Sequence, residues 1–413
     1  MSETTTTTPS TDGATRGQQL SALWQDYPLI RHLVTAAIGL AVVIVVLTAV
    51  DDFQATKLTE MAYIAIAAGG LTLLTGLNGQ ISLGHGALMA FGAYTTALLY
   101  DDREVGTPLV VVVLASVLVT VLVGILIGIA AARLHGPYLA GATLTLAIAV
   151  PEIGKYFDQL GGDQGLRLFV PEIPQWATDI AYYLTGSDPS RSKYVAFLAW
   201  VTLIVVFILL ANLASSRIGR RWAAVRDDEV AAELAGIDLT RARVSAFVVS
   251  AAAAGAAGAM FALAQRTVGP LGFSLNLSLT LLAIVVLGGL GSLTGAILLS
   301  GVLVFLPQIV MDLGSGADLD ATRASQMATL TFGLVMVLVI LLAPRGLMGG
   351  VRALGLRLRA ARAGRRTPPA TGGASSSGAA PSPTTDPASP SSTAETAEPD
   401  DGSTPITTKK GTS

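Results

Sequence analysis

An all-α membrane fold with about ten spanning helices is what this 413-residue sequence predicts, on three observations. Hydrophobic residues make up 52% of the chain and charged residues only 13%, about half the charge of an ordinary soluble domain. Long runs, among them Leu33 to Val50, Val110 to Ala132 and Leu277 to Val310, hold no Asp, Glu, Lys or Arg. These runs are continuously apolar instead of alternating, which selects helices, and the backbone of a bilayer span must satisfy its own hydrogen bonds.

The expected spans lie near Ile30 to Val50, Met61 to Leu77, Ser82 to Tyr100, Pro108 to Ala132, Tyr138 to Val150, Val195 to Ala214, Val244 to Ala264, Leu279 to Leu290, Ser292 to Met311 and Met327 to Ala343. Two of them are short for a bilayer: Tyr138 to Val150, bracketed by Pro137 and Pro151, and Leu279 to Leu290. The first 29 residues are polar and Thr-rich without the pattern of a cleavable leader, so the first apolar run is expected to be retained.

Orientation follows from the rule that cytoplasmic loops carry the excess of Lys and Arg. The loop 215–243 holds Arg217, Arg220, Arg221, Arg226, Arg241 and Arg243, and the segment 347–366 holds six arginines and no acid. Acidic residues instead mark the connections at Asp51, Asp52 and Glu60, at Asp101, Asp102 and Glu104, and at Asp312, Asp318 and Asp320. Ten crossings with both termini inside satisfy these signs, with Arg266 the exception on an outside loop. The segment 152–194 is expected as a long outer loop, and 367–413, rich in Pro, Ser, Thr, Ala and Gly, as a disordered tail. The membrane-spanning body is then 30–346, between these tails.

A net charge of −2 points to no nucleic-acid partner, and the absence of cysteine excludes disulfides and thiol chemistry. No metal site is expected, because His32, His85 and His135 lie beside separate spans without ligand spacing.

Two glycine-dense turns stand out. The first, Gly76-Leu-Asn-Gly-Gln-Ile-Ser-Leu-Gly-His-Gly-Ala87, offers Asn78, Gln80, Ser82, Gly84 and His85 either to a pathway or to a tight turn capped by Ser82. His85 is read as functional or as a neutral imidazole satisfied by backbone carbonyls. The second turn, Gly288-Gly-Leu-Gly-Ser-Leu-Thr-Gly-Ala296, shares the Ser-Leu and Gly-Ala pattern, with Gly288, Gly289 and Gly291 at its centre; a parallel internal duplication would account for it, but small-residue turns arise easily by chance, which is the favoured reading. Gly124 and Gly128, like Gly291 and Gly295, have the spacing of close helix packing.

The cytoplasmic loop carries the sharpest signal. Trp222 to Leu234 reads as one short amphipathic helix, with Trp222, Val225, Val230 and Leu234 on an apolar face and Gly236 ending it. The acids Asp227, Asp228, Glu229 and Glu233 disfavour an anionic lipid surface, so a groove on a partner protein is the expected seat, whereas the basic segment Val351 to Arg366 reads as surface anchoring.

Taken together these stretches resemble the permease subunits of the branched-chain amino-acid (Liv-type) ABC importers. The resemblance is carried in order by the turn 76–87, Gly136-Pro-Tyr-Leu-Ala140, Gly161-Gly-Asp-Gln-Gly-Leu166, the loop Arg226 to Gly236, Val285-Val-Leu-Gly-Gly-Leu-Gly-Ser-Leu-Thr-Gly295 and Ala343-Pro-Arg-Gly-Leu347. It implies a non-enzymatic subunit of a cell-membrane importer for branched-chain or other hydrophobic amino acids, with urea or short amides as the alternative solutes. It also implies a sister permease, two ATP-binding subunits that hold the ATP and magnesium, and an external substrate-binding protein. The loop looks like the family's coupling segment, with Ala231, Ala232 and Gly236 at the matching positions and Trp222, Arg226 and Glu229 beside them, although Glu229 stands two residues before the alanines instead of one. The chain has no Gly-x-x-x-x-Gly-Lys-Ser/Thr loop, so hydrolysis is expected on a partner. A secondary transporter would place ionisable pairs inside its spans, and these spans are nearly free of charge; a serine hydrolase built on Ser82 and His85 would need further converging groups.

Overall fold

The computed structural model describes residues 28–100, 107–134, 137–170, 172–185, 188–316, 321–342 and 346–350. Most of the polar N-terminal segment, the basic segment after 350 and the expected disordered tail lie outside the described residues.

Helices dominate: α1 Pro28–Ala49, α2 Asp52–Asn78, α3 His85–Leu99, α4 Leu109–Ala132 and α5 Pro137–Tyr156 come first. After two single 3-10 turns and the strand β1 (Leu166–Arg167) follow α6 Gln175–Thr185, α7 Arg191–Ser215, α8 Arg217–Asp227, α9 Glu229–Leu234 and α10 Leu239–Gln265. The strand β2 (Thr267–Val268), a 3-10 turn at Pro270–Phe273, α11 Leu275–Gly288, α12 Leu293–Gly316 and α13 Ala321–Leu342 complete it. Six of these segments are long and apolar enough to cross a bilayer: α2, α4, α7, α10, Pro270–Gly288 and Leu293–Gly314. The fold is therefore an all-α polytopic membrane fold, with six rather than ten segments meeting both criteria among the described residues.

The centre is α10, most of whose apolar length is buried by α2, α3 and α4. Its sequence from Ser250 to Met260 is almost entirely Ala, Gly and Ser, which lets neighbouring backbones approach closely where lipid supplies no hydrophobic drive for association. A Cβ at Gly258 would overlap the Met89 carbonyl oxygen on α3. The expected packing role of Gly124 also holds, since its missing side chain makes room for Ala251 of α10. Along α4 the two faces divide every fourth residue. Val112, Ser116, Thr120, Gly124 and Gly128 are buried, while Val110, Leu114, Leu118, Leu122 and Leu126 are exposed. Small and hydroxylated residues thus face protein and leucines face outward, the reverse of a soluble amphipathic helix. Inside, the Ser116 and Thr96 hydroxyls bond at 2.8 Å, joining α4 to α3.

Several boundaries differ from expectation. Helix α2 begins nine residues before Met61, because Asp51 caps it by accepting from the Gln54 amide at 2.8 Å. Asp52 and Glu60 are consequently helical, Glu60 pairing with Lys57 at 2.8 Å, so this acidic group is not a loop. The short fifth span extends from Pro137 to Tyr156, with Pro151 inside it, to 20 residues. At 15 residues α3 is about 22 Å long, short of the roughly 30 Å of bilayer hydrocarbon. The expected outer loop 152–194 is structured: the glycine-rich 161–165 turn feeds β1, which pairs antiparallel with β2 through Leu166–Val268 and Arg167–Thr267, and α6 follows. Arg266 closes α10 in the left-handed region, at φ 57°, and its carbonyl accepts from the Leu168 amide at 3.2 Å.

Gly258→Leu is expected to destabilise the fold by about 1–3 kcal/mol or more, the usual cost of overpacking, whereas Leu118→Val on the exposed edge of α4 is nearly neutral. Thermal unfolding of the detergent-solubilised variants measures both.

Candidate functional site

The loop between α7 and α10 is built as two helices that meet at a hinge. Ser216 starts α8, its hydroxyl accepting from the Ile218 amide at 3.1 Å. Asp228, at φ −158° and ψ 110°, ends α8 and caps α9, its carboxylate accepting from the Val230 and Ala231 amides at 3.0 Å each. The expected single helix from Trp222 to Leu234 is therefore broken, because Asp228 offers the next helix a better cap than it offers the first a continuation. The apolar face divides with it. Trp222 and Val225 are each 1% exposed and point into the protein, while Val230 and Leu234 are 69% and 85% exposed. Ala232 is buried, Ala231 and Glu229 are exposed, and Gly236 lies at φ 81° just beyond the helix end.

Three contacts fix the inner side of this pair. The Trp222 indole N–H donates to the Ser245 hydroxyl on α10 at 3.0 Å. Glu229 pairs with Arg243 of α10, whose guanidinium also donates to the Ala132 carbonyl at the end of α4 at 3.4 Å. Arg226 pairs with Asp227 at 2.7 Å and donates through Nη1 to the Gly76 carbonyl at the end of α2. That last bond ties the loop to the first glycine-dense turn. Gly79 turns there at φ 78°, and a Cβ on it would fall 2.9 Å from the Arg226 Cγ. Beside this loop, a cavity of about 470 Å³ runs between the end of α4 and residues Glu233 to Thr240, with Arg243 in its wall.

Motifs far apart in sequence converge on the same turn. Gly76 packs so tightly on Gly291 that a Cβ would overlap the Gly291 backbone nitrogen, and Gly346 packs likewise on Gly289. The segment 343–345 lies outside the described residues. In the second turn the Ser292 hydroxyl accepts from the Gly295 amide at 3.2 Å and caps α12. Ser82 does not do the same in the first turn. Helix α3 starts at His85 after Gly84, and the Ser82 Oγ is buried without a hydrogen bond among the described residues. The first turn is held instead by hydroxyls from other helices: the Leu83 amide donates to Thr143 of α5 at 2.9 Å, and the Gly86 amide to Ser278 of α11 at 3.0 Å. Sequence reasoning missed Thr143, Ser245 and Ser278; lone hydroxyl residues in apolar helices were the available signal. His85 is fully buried, with Nδ1 3.5 Å from the Ser250 hydroxyl of α10, and it does not pair with Ser82. Asn78 and Gln80 are also buried, with polar atoms that find no partner among the described residues. No group of three His, Asp or Glu among the described residues is placed to hold a metal ion.

Apolar helices of spanning length, packed through small residues and joined by an anchored helix pair with an exposed apolar edge, define a multi-pass membrane protein. The comparisons with known proteins make this specific. Residues 55–343 match the family described as branched-chain amino acid transport system, permease component. The chain is 32% identical over 306 residues to the high-affinity branched-chain amino acid transport system permease protein LivM of Salmonella typhimurium, covering 70% of this chain and 68% of that one. It is 31% identical to LivM of Escherichia coli with the same coverage, and 23% identical over 304 residues to LivH of Salmonella typhimurium, covering 91% of the latter. No solved structure matches. The chain belongs to the branched-chain amino acid transport permease family.

Trp222→Phe keeps most of the buried ring while removing the indole N–H, and is expected to cost about 0.5–1.5 kcal/mol. Trp222→Ala, which also empties the ring's site, is expected to cost about 3–5 kcal/mol. Comparing their melting temperatures separates the hydrogen bond from the packing.

Proposed function

We propose that this chain is the membrane-spanning permease subunit of an ATP-binding-cassette importer in the cell membrane, forming the translocation pathway for branched-chain or other hydrophobic amino acids. In this reading it crosses the bilayer ten times with both termini inside, in keeping with the arginine distribution, and 30–346 is the permease domain. A sister permease, two cytoplasmic ATP-binding subunits and an extracytoplasmic substrate-binding protein complete the transporter, and ATP and magnesium are held by the ATP-binding subunits.

The observation that carries the reading is the split character of the α8–α9 pair. One side is anchored, through Arg226 to the Gly76 carbonyl and through Trp222 and Glu229 to α10. The other presents Val230 and Leu234, both exposed among the described residues, beside the cavity next to Gly236. Large apolar side chains displayed on a helix with acids around them suit a groove on a partner protein. Movement of that partner on ATP binding would push on α9, and Asp228 marks where the push passes to α8 and so to the turn at 76–87. Glu229, Ala231 and Gly236 lie in the docking element, with Ala232 as its inner support. Asn78, Gln80, Ser82, Gly84 and His85, with Gly288, Gly289 and Gly291 packed against their turn, then stand at the end of the pathway that the push opens. The near absence of ionisable pairs within the helices is consistent with power drawn from a partner.

The double variant Val230→Asp with Leu234→Asp leaves the buried side untouched and is expected to lower ATP-linked leucine uptake by about tenfold or more, the effect of removing apolar anchors from a docking patch. Uptake by the reconstituted complex and copurification of the ATP-binding subunits are the measurements, and undiminished values for both exclude the docking role.

A further inference from the structure

Ten buried side-chain atoms among the described residues have no hydrogen-bond partner there, and eight of them lie between positions 72 and 85. They belong to Thr72, Thr75, Asn78, Gln80, Ser82 and His85. The first three lie three residues apart along α2, and Gln80 and Ser82 lie in the turn that follows it. All five from Thr72 to Ser82 are at most 8% exposed. A buried donor or acceptor left without a partner bears its full desolvation penalty, so eight in one short stretch are a concentration that chance packing does not tolerate. Their partners are therefore polar groups that the other described residues do not supply.

The chemistry of the lining narrows what those groups are. Two carboxamides and three hydroxyls offer donors and acceptors side by side, with no carboxylate and no ammonium among them. The full charge at the turn end, Arg226, is already held by Asp227 and the Gly76 carbonyl. A solute bearing net charge would find no opposite charge here, whereas a zwitterion needs acceptors for its ammonium and donors for its carboxylate in the same place. We infer that Thr72, Thr75, Asn78, Gln80 and Ser82 form a binding subsite for the head group of a zwitterionic, neutral amino acid, and that the absence of fixed charge along this stretch makes the subsite reject solutes with charged side chains. The inference deepens the transport reading and rests on it.

The sequence contains no cysteine, so each of Thr72→Cys, Thr75→Cys and Ser82→Cys places a single thiol in this subunit. In the complete transporter in proteoliposomes, a small charged methanethiosulfonate reagent is expected to label these thiols, detected by the mass of this chain. Saturating L-leucine is expected to slow the labelling at least several-fold, and L-lysine to leave it unchanged. Labelling that leucine does not slow shows hydration without a ligand and overturns the subsite; equal protection by lysine overturns its selectivity; and failure to label, while Val230→Cys reacts, overturns it too. The near-isosteric Thr75→Val provides a second readout, expected to raise the half-saturating leucine concentration several-fold; an unaltered value counts against the subsite. Absence of ATP-driven leucine uptake by the unaltered complex refutes the transport reading itself, whereas normal uptake with unprotected thiols refutes only the subsite.

Discussion

Close backbone contact along α10 is the constraint on which the other elements depend. Between helices in a bilayer the apolar side chains of lipid and protein are equivalent, so burial of leucine contributes little to association. What distinguishes the native arrangement is van der Waals contact between backbones, and Ala, Gly and Ser from 250 to 260 supply it. Met89 of α3 and Ala251 opposite Gly124 of α4 show how little room is left. Hydroxyls fill the remaining polar needs: Thr96 meets Ser116, and the turn before α3 is held by Thr143 and Ser278. The leucine edge of α4, from Leu114 to Leu126, faces away from this core.

The same close contact positions the site. Gly76 and Gly291 touch because neither carries a Cβ, and the Gly76 carbonyl at the end of α2 accepts from the Arg226 guanidinium. Arg226 thereby links a loop helix to the first turn, which itself packs on the second, about two hundred residues further along the sequence. Lys could carry the same charge, but the planar guanidinium bonds Asp227 and the Gly76 carbonyl together from fixed directions. The matched family motifs are thus not a scatter of conserved-looking fragments: those at 76–87, 226–236 and 285–295, with Gly346, meet at this one place, and the motif at 161–166 serves the opposite task of pairing with β2.

Much of the fold was legible because the physics of lipid is blunt. Charge-free runs located α1, α4, α7, α10, α12 and α13 to within a few residues at most of their ends, since a charged residue in mid-span is costly and a continuous apolar run has few other uses. Legibility failed where polar residues continue a helix. Asp52 to Glu60 extend α2 because Asp51 caps it and Lys57 pairs with Glu60, and an acidic cluster alone does not reveal that. It failed again at Asp228, where hydrophobic spacing suggested one helix and a capping carboxylate made two. For the site, the turn and the loop were both visible as motifs, yet nothing in their separate sequences told that Arg226 reaches Gly76, or that Trp222 and Val225 face inward while Val230 and Leu234 face out. Those facts depend on tertiary direction, which a periodicity does not carry. The cluster of unpartnered polar atoms was half visible, as Asn78, Gln80 and Ser82, but Thr72 and Thr75 read as ordinary members of an apolar helix.

The two-residue ladder between β1 and β2 has a mechanical consequence for the helix it adjoins. Its hydrogen bonds grip the far end of α10, while Trp222 and Glu229 grip the near end. A rod clamped at both extremities does not fold up or slide along its axis when one clamp is displaced; it swivels. Whatever load reaches the α8–α9 end is thereby delivered some forty ångströms away, at about 1.5 Å per residue over the length of α10, as a change of tilt against the strand pair.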